Sequence, residues 1–149
     1  MSDRYEEFIA EGEELLESLH HNLMKMKDCF SVSVPVKPDV VNNIFRDMHT
    51  LKGISAVLGF DRITLLSHSL ENLLDRIRMG NLPLSPPILN VLFEAVDALQ
   101  RLVEKVRDVA EGIPGVEVDD GEIPKILRIT EQQSLGKTDH SPAESSAIP

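Results

Sequence analysis

Apolar residues recur along this chain at spacings of three and four, the pattern of helices that bury one face. In the first such segment Tyr5, Phe8, Ile9, Leu16, Leu19, Leu23, Met26 and Phe30 fall on one stripe, which predicts a helix over about 3–29. The stretch FSVSVPVKP that follows mixes valines with two prolines and reads as an extended connector. Pro38 suits the first turn of a second helix over 38–58, with Val41, Ile44, Met48, Leu51, Ser55 and Leu58 as its seam and Gly59 as its stop. Asp61 is a candidate cap for a third helix over 61–79, which buries Ile63, Leu66, Leu70, Leu73, Leu74 and Ile77. Arg76 and Arg78 stand in its last turn and Gly80 follows, the residue types expected at a helix end. Ser85-Pro86-Pro87 opens a fourth helix over 86–111, with Leu89, Leu92, Phe93, Val96, Leu99 and Val103 on its apolar side.

Four amphipathic helices with short connectors predict an all-α, antiparallel, up-and-down four-helix bundle. Beyond the breakers Gly112, Pro114 and Gly115, a weaker fifth helix is expected over 122–133, with Pro124 in its first turn and Ile126 and Leu127 packed inward. These elements make one domain over 1–133. The remainder, SLGKTDHSPAESSAIP over 134–149, has the polar, proline- and serine-bearing composition of a linker.

Composition narrows the function classes. With 149 residues the chain has room for one proper core. A net charge of −10 and only 4% aromatic residues argue against binding nucleic acid or an anionic membrane surface. One cysteine, Cys29, leaves no partner for an internal disulfide and suits a reducing compartment. The acidic start lacks a signal pattern, and no apolar run approaches the ~20 residues that span a bilayer. A soluble, acidic, cytoplasmic domain is the expectation.

One segment departs from ordinary bundle chemistry: MHTLKGISAVLGF, 48–60, places His49 beside the apolar seam and a glycine four residues later. Glycine inside a helix costs about 1 kcal/mol relative to alanine. On the second helix Phe45, His49, Lys52, Gly53 and Ala56 share a stripe flanking the seam; on the third, Thr64, His68, Glu71 and Asp75 do the same. The two helices are separated by so short a turn that they must run antiparallel. At 1.5 Å per residue, His49 and Glu71 both lie ~15 Å from the turn, and Lys52 and His68 both lie ~10 Å from it.

A histidine so placed has a chemical use. An imidazole that donates one N–H to a carboxylate is held in one tautomer, and its other nitrogen keeps a lone pair for nucleophilic attack. Glu71 is the candidate orienter of His49, and Lys52 a candidate counter-charge for an incoming phosphoryl group. Gly53 leaves clearance beside the imidazole, or else marks a close helix–helix contact. A metal site is the rival use of the same groups, because Glu17 and His20 form a Glu-x-x-His pair. His68-x-x-Glu71 runs in the reverse order, however, and Lys52 would repel a cation. The expectation is that no metal binds.

FRDMHTLKGISAVLGF resembles the phosphotransfer signature of histidine-containing phosphotransfer (HPt) domains, and LLSHSLENLLDRIRMG is similar to the third helix of the N-terminal domain of CheA-type chemotaxis histidine kinases. The resemblance covers roughly Asp3 to Val109. It implies an HPt-like bundle in which His49 accepts phosphate, Glu71 bonds it, Lys52 and His68 belong to the same network, and Gly53 is the family glycine. It further implies a donor, ATP with Mg bound by a separate kinase domain, and an acceptor, an aspartate of a CheY- or CheB-like response-regulator receiver. No G-x-x-x-x-G-K-[ST] or G-x-G-x-x-G is present, so the chain is expected to carry phosphate without a cofactor of its own and without catalysis by itself. Ile54-Ser55 departs from the family habit of a second glycine or small residue there. A freestanding relay protein shares the same site, and a passive helical adaptor or metal-binding bundle is the remaining alternative.

Overall fold

The computed structural model describes residues 2–110. Over them the chain forms four helices: α1 (Ser2–Ser31), α2 (Pro38–Leu58), α3 (Asp61–Arg78) and α4 (Pro86–Ala110). The expected fifth helix over 122–133 and the tail over 134–149 lie outside the described residues. Among those described, α1 packs on α2 and α4, and α3 packs on α2 and α4, while the backbones of the two diagonal pairs stay apart and only their side chains share the core. With short connectors, that adjacency is a square, antiparallel up-and-down bundle.

The core explains why these four segments are helices together. Leu19, Leu23 and Met26 of α1 meet Ile44, Met48 and Leu51 of α2, Leu66 and Leu70 of α3, and Leu92 and Leu99 of α4, all at 0–1% exposure. Burying each such side chain contributes about 1.5–3 kcal/mol. Val40, Val91, Ala95 and Ala98 are also buried, although they lie off the predicted seams. In a square bundle each helix faces two neighbours, so its buried face is wider than a single seam. Phe30, by contrast, remains exposed in the last turn of α1. There it borders an open groove with Pro86 and Phe93.

Helix ends set the geometry of the later site. Gly59, at φ 79°, lets its own amide bond the Ala56 carbonyl and the Phe60 amide bond that of Ser55. This pair of bonds closes α2 in a Schellman turn. Gly80, at φ 78°, closes α3 the same way, with Asn81 bonding Arg76. Asp61 is not the cap of α3: Phe60 holds the N-cap position with no side-chain bond, and Asp61 is already helical. The Schellman turn consumes Gly59 and Phe60, so no residue is left to act as a separate cap, and Asp61 acts only through the positive end of the helix dipole. Phe60 also packs its ring against Tyr5 and Phe8, at centroid distances of 5.3 and 4.8 Å. That anchors the α2–α3 turn to α1.

Candidate functional site

α2 and α3 meet along a ridge that carries the histidine. His49 is exposed, with 64% of its side chain open, whereas the Glu71 side chain is only 9% open. His49 Nδ1 is hydrogen-bonded to Glu71 Oε2. The other carboxylate oxygen, Oε1, accepts a bond from Lys52 Nζ at 2.5 Å. A single carboxylate thus bridges two side chains of α2, placed one turn apart at positions i and i+3.

The electrostatics decide the tautomer. Burial pushes the Glu71 carboxyl up, but hydrogen bonds from Lys52 and His49, together with attraction to their charges, outweigh it and hold the group below its usual range. An ionised carboxylate only accepts, so the Nδ1 that faces it must carry the proton. Nε2 of the neutral ring then keeps its lone pair on the edge that is not tied inward. Lys52 sharpens this division by keeping Glu71 an acceptor rather than a proton thief.

The other sequence-predicted residues fall into place differently. His68 is exposed and lines a shallow groove with Lys52, Asp61, Thr64 and Leu65. It makes no hydrogen bond or ion pair among the described residues, so Lys52 points to Glu71 rather than pairing across to His68. Gly53 is exposed, and a Cβ built on it would meet no atom within 4 Å. A close helix–helix contact is therefore not what the glycine serves. Within the Ile54-Ser55 pair that departs from the family habit, Ile54 is half-buried against the core, and Ser55 is fully buried and shares a 2.8 Å hydrogen bond with Thr64 of α3. That bond joins the two helices beneath the site.

Three contacts around the histidine were not legible in the sequence. The Phe45 ring lies nearly parallel to the His49 ring, 10° between planes and 6.5 Å between centroids. The Arg78 guanidinium covers Phe45 at 4.3 Å. Asp75 Oδ1 in turn accepts a bond from Arg78 Nη2. The i, i+4 spacing of Phe45 and His49 was the available signal. The role of Arg78 required knowing how α3 lies across α2.

Among the described residues no group of three or more His, Cys, Asp or Glu side chains is close enough to hold an ion. Glu17 and His20 line a cleft between α1 and α4, on a different helix pair from Glu71. No helix among the described residues is long and apolar enough to cross a membrane.

The fold and the ridge together define a class: a four-helix bundle that presents one carboxylate-held imidazole on its surface. The chain belongs to the Hpt domain family, whose model matches residues 4–108. It is 37% identical over 113 residues to the chemotaxis protein CheA of Bacillus subtilis, covering 75% of this chain and 16% of that protein. It is 33% identical over 118 residues to CheA of Halobacterium salinarum, covering 77% of this chain and 17% of that one. The sensor histidine kinase CheAY of Helicobacter pylori is 31% identical over 131 residues, with 87% and 16% covered. The chain spans about one sixth of the length of these relatives. Among solved structures, the phosphorylated P1 domain of CheA3 in complex with CheY6 from R. sphaeroides superposes with a TM-score of 0.73. It covers 91% of this chain and 98% of that one at 20% identity, a likeness of fold.

Proposed function

We propose that this chain is the phosphoacceptor and phosphocarrier domain of a CheA-type histidine kinase, with His49 Nε2 as the acceptor atom. The observation that carries the reading is the bond from His49 Nδ1 to a buried, ionised Glu71 on an otherwise exposed ring. The Nε2 lone pair attacks the γ-phosphorus of ATP held by a separate kinase domain. An N–P bond forms, the bond to the β-phosphate bridging oxygen breaks, and ADP leaves. The ring gains positive charge as it attacks, and Glu71 stabilises it by holding the Nδ1 proton. In the return step an aspartate oxygen of a receiver attacks the phosphorus and the N–P bond breaks. The imidazole departs neutral, in the tautomer from which it started.

The rest of the ridge supports the same steps. Lys52 keeps Glu71 ionised and offsets phosphoryl charge one turn away. Gly53 clears the surface for the partner's reacting loop. The chain performs this chemistry as a substrate, as a monomer, and in the cytoplasm, where ATP is the phosphate source. Kinship to CheA proteins favours a kinase partner over an upstream receiver. The test is incubation with labelled ATP, with and without a CheA kinase core. Acid-labile label at His49 is expected only with the core, and label persisting on His49→Gln overturns the reading.

A further inference from the structure

The covalent link at Cβ and the hydrogen bond to Glu71 hold two points of the imidazole and leave the ring able to rock about the line between them. Something else must set its plane if Nε2 is to point in one direction. The parallel ring of Phe45 stands one turn below it, within the 4.5–7 Å range over which offset aromatic pairs interact. Phe45 is itself only half-buried, so packing alone does not hold its ring. Its outer support is Arg78, whose guanidinium covers it at 4.3 Å and is tethered to Asp75. A cation over an aromatic face is attracted by the ring quadrupole, and the tether keeps that cation in place.

We infer that Phe45, braced by Arg78, is a positioning residue that sets the plane of the His49 imidazole and so aims Nε2 for phosphoryl transfer. The inference rests on His49 being the acceptor. The line Asp75–Arg78–Phe45–His49 runs from the last turn of α3 to the nucleophile on α2. It complements Glu71: the carboxylate selects the tautomer, and the stacked ring selects the direction. In-line displacement needs the attacking lone pair aligned with the breaking bond, and misplacement by about an ångström costs on the order of a hundredfold in rate.

The test uses the whole chain with a CheA kinase core that labels it, comparing Phe45→Leu, Phe45→Tyr, Arg78→Gln and Arg78→Lys. Phe45→Leu should lower the maximal labelling rate about tenfold, a partial misalignment, with the half-saturating chain concentration unchanged. Phe45→Tyr should restore the rate to within about twofold, because the flat ring returns. Arg78→Gln, on the surface and harmless to folding, should slow labelling about threefold, and Arg78→Lys should recover most of it. NMR of the His49 ring should show the Nδ1–H tautomer kept in Phe45→Leu while ring mobility rises. Unchanged rate and ring mobility in both Phe45→Leu and Arg78→Gln overturn the inference alone. A raised half-saturating concentration at unchanged maximal rate also overturns it, by making Phe45 a docking contact. Label on the unaltered chain at a residue other than His49 overturns the underlying reading and this inference with it.

Discussion

Lys52 and Glu71 form an ion pair across the α2–α3 groove, Nζ to Oε1 at 2.5 Å, while the second oxygen of the same carboxylate takes the proton-bearing nitrogen of His49. The pair is not primarily a stabilising device, since partly exposed ion pairs contribute about 0–1 kcal/mol. Its effect is to fix which way Glu71 faces and which charge it holds, and through it the state of the histidine.

Glu71→Gln should therefore separate chemistry from folding. The amide retains the shape but cannot hold the developing imidazolium charge, so labelling of His49 should slow by about tenfold to a hundredfold, the range for loss of one charge-stabilising or acid–base partner. Stability should change by no more than about 1 kcal/mol, as expected for a partly exposed pair. Rates measured with a kinase core, alongside urea melts, decide it; an unfolded variant would mean that Glu71 is a structural residue.

The same carboxyl sets an acid dependence. Its folded pKa lies below that of the unfolded chain, because Lys52 and His49 favour the charged form. The stability it contributes is fully present above the unfolded value of about 4.3 and is lost as pH falls through the lower folded value. Urea melts between pH 6 and 3 should show this loss in the unaltered chain. Glu71→Gln should lack that increment.

Gly53→Ala should stabilise the bundle and impair transfer. The site has open space for a Cβ and an ordinary helical backbone, so alanine should add about 1 kcal/mol of stability. A larger side chain there, as in Gly53→Leu, should slow labelling progressively, because it occupies the clearance beside the imidazole. If Gly53→Leu transfers phosphate as fast as the unaltered chain, the glycine has no role in partner access.

His68→Ala should have little effect. His68 lines the groove beside Lys52 but bonds neither His49 nor Glu71. Labelling within about threefold of the unaltered rate is expected, less than the tenfold or more that loss of a positioned acid–base group costs. A larger loss would place His68 in the network after all, in a conformation reached only with a partner.

Much of this protein was determined by the sequence itself. Apolar residues at three- and four-residue spacing define the four helices, and Gly59 and Gly80 mark their ends because few other residues tolerate the left-handed backbone there. The short α2–α3 turn even levels His49 with Glu71, since helical rise is a constant of the backbone. Tertiary structure decided the rest. Val40, Val91, Ala95 and Ala98 are buried because a square bundle covers each helix on two sides, which no single helix can reveal. Asp61 lost its capping role because the turn before it had no residue to spare. Lys52 turned to Glu71 instead of His68, and Arg78 came to cover Phe45, because rotation of α3 about its own axis selects which side chains of α2 it can reach. Periodicity determines heights along a helix; only packing determines that rotation, and with it the direction in which a histidine points.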